Sequence, residues 1–357
     1  MRADELARLA DELGLDVVGA ATVEPYETTE QTIVERRERG LFADMSFTMA
    51  RPERSCHPEL LLPGARSIVS AALCYYVPGG EPGVDHGRLP RYAWRDHYAE
   101  VRARLEALGQ RLGRGYRVLV DENDHVDREA AARAGVGFYG KNTMLITRTH
   151  GSWVVLGTLI TEVAIDPTPA LGLDCGSCRI CIDACPTGAL DEPGVLDSTR
   201  CLSYWTQSRR PMPDGVRHEL GGAVYGCDIC QDVCPWNRGI EGRRSHLAPS
   251  LEHEPVVSLR EWLEASDTVL SGRYERLYFP RNDARYLRRN ALVSAGNCGT
   301  EELEPSLSRH AASGDELLAE HARWALERLG ERRGERSARS SASTPSGSTV
   351  GGRRSDP

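Results

Sequence analysis

No run of about 18 apolar residues occurs in the chain, so nothing in it reads as a membrane-spanning helix. No basic-then-apolar leader is present either, because the chain opens on the charged, amphipathic stretch MRADELARLADELGLD. Positive charge is not in excess: 44 Lys and Arg stand against 52 Asp and Glu, a formal net charge of -8. That balance excludes a generally basic nucleic-acid binder and leaves room for a local basic face on an acidic background. A dinucleotide fingerprint is also missing. Gly135, Gly137 and Gly140 have the G-x-G-x-x-G spacing but precede a strand instead of following one, which sets a nicotinamide site aside. These absences predict a cytoplasmic protein with no membrane contact.

What the chain has is cysteine, concentrated in one place: eight of its 11 cysteines fall between residues 175 and 234. In a reducing compartment such clustering favours metal or cluster ligation over disulfides. Cys175, Cys178, Cys181 and Cys185-Pro186 reproduce the C-x2-C-x2-C-x3-C-P run of two-cluster ferredoxins, in which the fourth thiolate crosses to the other cluster. Cys201, Cys227, Cys230 and Cys234-Pro235 complete a set of eight. The spacing therefore assigns Cys175, Cys178, Cys181 and Cys234 to one [4Fe–4S] cluster and Cys185, Cys201, Cys227 and Cys230 to a second. A pair of four-cysteine zinc sites is the alternative that paired C-x2-C spacings allow. The third Cys at x2 and both Cys-Pro endings fit the ferredoxin pattern better. Cys56, Cys74 and Cys298 read as ordinary thiols. Clusters move single electrons and make no bonds to an organic substrate, so another part of the chain must supply the chemistry.

At 357 residues the chain exceeds one core, and its pattern changes along its length. Residues 1–165 mix helical stretches (3–13, 96–112, 127–134) with strands Ser67–Tyr76, Tyr116–Val120, Met144–Ile146 and Trp153–Ile160, an α/β or α+β layer. Pro78–Pro90 reads as a surface loop. Residues 166–240, rich in Cys, Pro, Gly and Asp, form a small domain organised by clusters. Residues 241–330 are helical at repeat-like spacing. Residues 331–357 lack apolar anchors and read as a disordered tail. Within the first unit an apolar strand delivers Asp121 at its carboxyl end, a helix follows, and a glycine-rich turn ends in Lys141-Asn142-Thr143. A carboxylate so placed beside a bulky cofactor can have a raised pKa and act as a general acid. The residues alone leave open that Asp121 merely caps the turn, and that Asp124 or Asp127 takes either role. Gly151-Ser152-Trp153 opens the next strand and offers a hydroxyl, or simply a turn.

Taken together, Leu62-Pro-Gly-Ala-Arg-Ser67, Ala134-Gly-Val-Gly-Phe-Tyr-Gly-Lys-Asn-Thr143, Gly151-Ser-Trp-Val-Val-Leu-Gly157, the eight cysteines and Tyr225-Gly-Cys-Asp-Ile-Cys-Gln-Asp-Val-Cys-Pro-Trp-Asn237 resemble the epoxyqueuosine reductase family. These are cobalamin-dependent iron–sulfur enzymes of tRNA queuosine synthesis, related to reductive dehalogenases. The resemblance implies an α+β multidomain fold: an N-terminal α/β cobalamin-binding domain, a ferredoxin-like domain with two [4Fe–4S] clusters, and C-terminal HEAT-like helical repeats. It implies base-off cobalamin between the first two units, Asp121 as proton donor, and Arg54, Lys141, Asn142, Thr143 and Ser152 as cobalamin contacts. The implied substrate is the anticodon stem-loop of a tRNA with a modified wobble guanosine, and the implied partner an external electron donor to a monomer. The arginines of Ser271–Asn290 suit phosphate contacts on this view, and an ordinary solvated helix face without it. Departures occur at Asp96-His97-Tyr98, where the family reads Asp-Tyr-His, after Asp121, and at Thr206-Gln207-Ser208. Two other readings use the same cofactors or fewer: a dehalogenase acting on a small halide, and a plain electron carrier, which would not need 165 residues ahead of its clusters.

Overall fold

The computed structural model describes residues 1–342. Helix α1 (Ala3–Glu12) leads into β1 (Val17–Ala21), and α2 (Glu27–Glu38) and the single turn α3 (Pro52–Ser55) precede β2 (Ser67–Cys74). Then come β3 (His86–Arg88), α4 (His97–Leu112), β4 (Tyr116–Leu119), α5 (Asp127–Arg133), the short pair β5 (Phe138–Tyr139) and β6 (Leu145–Ile146), and β7 (Val154–Thr161). The main sheet has the order β1-β2-β7-β4, and every pairing in it is antiparallel. The first unit is therefore α+β, which corrects the α/β expectation: an α/β layer needs parallel strands joined by crossover helices. Strand β2 is buried at every position and β7 at nearly every one, so both read as continuous apolar runs and not as alternation. Leu6 of α1 and Val101, Leu105 and Leu108 of α4 cover one face. Ile33 of α2 and Ala130 of α5 pack against Ile68, Leu119 and Ile160 on the other.

The cysteine-rich stretch carries only short helices: α6 (Ile180–Asp183), α7 (Leu202–Gln207), α8 (Asp214–Leu220), α9 (Ile229–Asp232) and α10 (Arg238–Arg243). It is fastened to the first unit by the β5–β6 hairpin, where Phe138, Ile146 and Trp236 pack around Cys234, with the Phe138 and Trp236 rings 5.1 Å apart.

Beyond β8 (Val256–Ser258) the chain is helical: α11 (Leu259–Glu264), α12 (Asp267–Arg273), α13 (Arg285–Cys298), α14 (Glu304–Ala311) and α15 (Glu316–Ala342). Their shared core, with Trp262, Phe279, Leu287 and Leu292 at its centre, also takes in Val77, Leu89, Ala93 and Trp94. The stretch expected as a surface loop thus holds β3, paired with β8, and threads into the C-terminal core. Gly87 permits this, because a Cβ there would lie 2.3 Å from Val224. The expected disordered tail begins too early at residue 331. Helix α15 continues to Ala342, since Glu, Arg and Ala are good helix formers and Arg328 pairs with Glu331 and Glu335 one and two turns on. The remainder of that predicted tail, 343–357, lies outside the described residues.

Candidate active site

Cys175, Cys178, Cys181 and Cys234 line one cavity of about 60 Å³, together with Lys141, Asn142, Ile146, Pro235 and Trp236. Among the described residues no three Cys, His, Asp or Glu side chains converge as ligands of a single ion do. Thiols that share a cavity without converging suit a cubane better than a zinc ion, whose sulfurs sit only about 2.3 Å from the metal. Cys185, Cys201, Cys227 and Cys230 form a second group, each half-buried. Burial pushes the Cys227 thiol up to about 12, with the charges of Cys201 and Cys185 adding to the effect. Cys230 is raised by burial and then by Cys227 and Cys201. The structure thus brings together both sets of four that the spacing separates.

The residues around these thiols tie the two units to each other. The Lys141 amide donates to Cys175 Sγ at 3.5 Å, and its Nζ donates to the carbonyls of Gly176 (2.6 Å) and Cys178 (2.9 Å). Its ammonium is therefore committed to the loop that carries the first thiols. Asn142 is buried, donating to the Cys230 carbonyl at 3.4 Å and accepting from the Met144 amide. Ser152 is fully buried and donates its amide to Asn237 Oδ1 at 2.7 Å, while Asn237 Nδ2 donates to the carbonyl of Gln231. Gly151, at φ +58, allows this approach, because a Cβ would lie 2.0 Å from Asn237 Oδ1. Thr143 is half-buried at φ +65, and Arg54 lies at the surface. Both Arg54 and Arg51 pair with the single carboxylate of Asp124, each at 2.9 Å, which leaves one positive charge in excess there.

Asp121 stands two residues past the end of β4 and holds φ +54, a conformation that Asp tolerates better than most residues. Its carboxylate has no hydrogen-bond or ion-pair partner among the described residues. It is open to solvent yet crowded by protein, and desolvation, followed by Glu122, raises its pKa against the pull of Arg102. An acid in a concave wall has this character. Asp96 caps α4 by accepting from Ala99 at 2.8 Å, His97 is buried with neither ring nitrogen partnered, and Tyr98 feels the charge of Asp121.

The arginines of Ser271–Asn290 are mostly committed within the protein, which overturns their reading as a phosphate-binding face. Arg273 and Arg276 pair with Glu254, Arg288 with Asp267, Arg285 with Asp283, and Arg289 is fully buried. Arg281 and, from another segment, Arg209 are exposed and carry no ion pair among the described residues. Tyr278, 47% exposed, stacks edge-on against Phe47 at 5.3 Å. The sequence reading missed Arg91, whose amide and guanidinium donate to Asp228 and Asp232 beside the second thiol group. No spacing or motif marks it.

Residues 174–237 match the family model "4Fe-4S double cluster binding domain", and residues 55–122 match "Epoxyqueuosine reductase QueG, DUF1730". An epoxyqueuosine reductase of Lactococcus garvieae is 32% identical over 341 residues, 91% of this chain and 95% of that protein. A crystal structure of an epoxyqueuosine reductase with an epoxyqueuosine-modified tRNA-Tyr stem loop superposes with a TM-score of 0.82 at 29% identity, covering 96% of this chain and 94% of that one. A Bacillus subtilis epoxyqueuosine reductase, whose catalytic aspartate loop is swung out of the active site, gives 0.80 at 30% identity over 91% and 90%. With such identity over nearly the whole of both partners, the chain belongs to the epoxyqueuosine reductase family.

Proposed function

We propose that this protein reduces epoxyqueuosine to queuosine at the wobble position of tRNA, the reaction for which its relatives are named. The observation that carries the reading is a desolvated, unpaired carboxyl whose charge reaches Tyr225, two residues ahead of Cys227, in a chain that also gathers two groups of four thiols. Cys175, Cys178, Cys181 and Cys234 hold one [4Fe–4S] cluster, and Cys185, Cys201, Cys227 and Cys230 the other. The unspent positive charge of Arg51 and Arg54 fits the phosphate of a base-off cobalamin, and half-buried Thr143 is a further contact, while buried Asn142 and Ser152 hold the turns in place from behind through Cys230 and Asn237. When bound, the clusters and cobalamin supply low-potential electrons from an external donor. Lys141, with its ammonium on the cluster loop, supports the cofactor by fixing that loop.

Asp121 protonates the epoxide oxygen as its carbon–oxygen bonds break. Its raised pKa keeps a proton available nearer neutrality than an exposed carboxyl does. The layout is a cofactor-binding unit at 1–165, a ferredoxin-like unit at 166–240 and HEAT-like helices at 241–330 that receive the anticodon arm of the tRNA. Arg281, Arg209 and the Tyr278–Phe47 pair are its exposed cationic and aromatic contacts. The protein works as a monomer in the cytoplasm, and no helix among the described residues is long and apolar enough to cross a membrane.

The test is anaerobic reconstitution with iron, sulfide and cobalamin, followed by a chemical reductant and epoxyqueuosine-containing tRNA, with nucleoside analysis. Queuosine should appear in step with epoxyqueuosine loss. Full cofactor loading without product would refute the substrate.

A further inference from the structure

Removing an epoxide oxygen as water, to leave an alkene, consumes two electrons and two protons. Asp121 can give one proton, and the second has to reach the same oxygen before water leaves. Six residues on, at the first position of α5, stands Asp127, whose Oδ1 is buried without any hydrogen-bond partner. A buried carboxylate oxygen left unpartnered is costly, so its persistence calls for an explanation. The side chain lies near enough to Asp121 for the two charges to interact. Its remaining charged and titratable surroundings are Glu122 on the turn after β4, Arg102 and Tyr98 on α4, Arg128 on its own helix, and Tyr26 ahead of α2. None of these is hydrogen-bonded to the orphaned oxygen.

We infer that Asp127 is a proton relay that reloads Asp121 between the two protonations of one turnover. It acts through Asp121 and is a positioning residue, with no contact to substrate required. The inference rests on the proposed epoxide reduction. Burial, and then the charge of Asp121, push the Asp127 carboxyl up to about 8. The pair accordingly titrates in a fixed order: Asp121 ionises first, Asp127 stays protonated at neutral pH, and a proton is held beside an acid that has just lost one. No hydrogen bond joins the two carboxyls, so the O–H of Asp127 passes its proton to the Asp121 carboxylate through a bridging water, and Asp127 recovers one from solvent after product leaves. As pH rises through about 8, Asp127 loses its proton and the reservoir empties.

The experiment compares wild type, Asp127→Asn and Asp127→Glu as cofactor-loaded enzymes, in two measurements. In the first, infrared difference titration without substrate follows the protonated-carboxyl band. Wild type should lose a band with a midpoint near pH 8 that Asp127→Asn lacks; if Asp127→Asn retains it, the inference is overturned. In the second, single-turnover loss of epoxyqueuosine from a tRNA stem loop is followed from pH 6 to pH 9. Wild type should slow above about pH 8. Asp127→Asn should be at least about tenfold slower at pH 7 with that limb gone, and Asp127→Glu should recover most of the rate and the limb. Stem-loop affinity and cluster spectra should match in all three. An Asp127→Asn enzyme within twofold of wild type that keeps the limb near pH 8 overturns the relay. A wild type that shows the band but forms no queuosine overturns the substrate reading alone.

Discussion

Replacing Arg289 by Ala should unfold the middle of the protein, not weaken tRNA binding. The guanidinium is fully buried, and burial draws its pKa down to about 9, which still leaves it charged at neutral pH. It donates to the carbonyls of Ser208 (2.6 Å), Arg210 (2.9 Å), Trp205 (2.8 Å) and Thr206 (3.3 Å), and to Asn290 Oδ1. Those carbonyls form the frayed end of α7, which starts immediately after Cys201, so one side chain caps the helix that carries a cluster ligand. Truncation strands the Ser208 and Arg210 carbonyls at about 1–3 kcal/mol each, while Thr206 keeps the Asn290 side-chain amide and Trp205 the Ser208 amide. Water entering the hole offsets part of this, and a loss of about 2 kcal/mol or more remains, a sizeable share of the ~5–15 kcal/mol that holds a typical domain. Arg289→Lys brings three donors to the same place and should lose about half as much. Anaerobic urea unfolding followed by tryptophan fluorescence measures the loss, and iron per chain reports the second cluster. If Arg289→Ala unfolds within about 1 kcal/mol of wild type, keeps its iron and binds the stem loop less tightly, then the arginine faces RNA and the packing argument is wrong.

Arg281→Ala and Arg209→Ala should act in the opposite way, leaving stability unchanged and weakening the stem loop. Each should cut the slope of log affinity against log salt by about 0.7 for a single-stranded contact, and an unchanged slope removes that residue from the interface. Asp121→Asn keeps a residue that accepts positive φ and should retain both cofactors and stem-loop affinity while losing at least about 100-fold in turnover; full turnover would move the acid elsewhere. In Gly151→Ala the new Cβ has to displace Asn237, which holds the Gln231 carbonyl ahead of Cys234. A loss of more than about 1 kcal/mol, with disturbed cluster spectra, is expected there, and a native spectrum would show that the turn adapts.

Most of the scaffold is legible in the sequence because its signals are local. The helix expected at 96–112 is present, and it is bounded by local signals, Asp96 as cap and Gly113 at φ +69 as stop. Strands β2 and β7 show as uninterrupted apolar runs because they lie in the middle of the sheet. Strand direction leaves no such local trace, so the apolar runs alone do not distinguish an antiparallel sheet from a parallel one. The burial of 77–94 was invisible for a related reason. Its Pro and Gly residues signal turns, while the partners that bury Leu89 and Trp94 come from helices more than 150 residues later. Charge counting failed on Ser271–Asn290 because it registers arginines but not the acids that reach them: Glu254 and Asp267 lie outside or at the edge of any window that would reveal the pairing.

Arg91 shows what this long-range wiring accomplishes. Its guanidinium lies over the rings of Trp153, Tyr76 and Trp94, at 5.0, 5.4 and 5.6 Å, on the first unit's side, and its donors reach Asp228 and Asp232 on the thiol-bearing side. Trp153 continues the β7 end of the sheet, Ser152 next to it is bonded to Asn237, and Gln231 joins Asn237 to Tyr75 just past β2. Every link in that chain except Asp232 is buried or half-buried, so the sheet of the first unit and the thiol-bearing segment cannot drift independently. For electron delivery that must coincide with proton transfer, such a rigid frame is what keeps the reacting groups in register, and the turn bearing Asp121 is held as well, by Arg102, which donates to the Val120 carbonyl and pairs with Glu122.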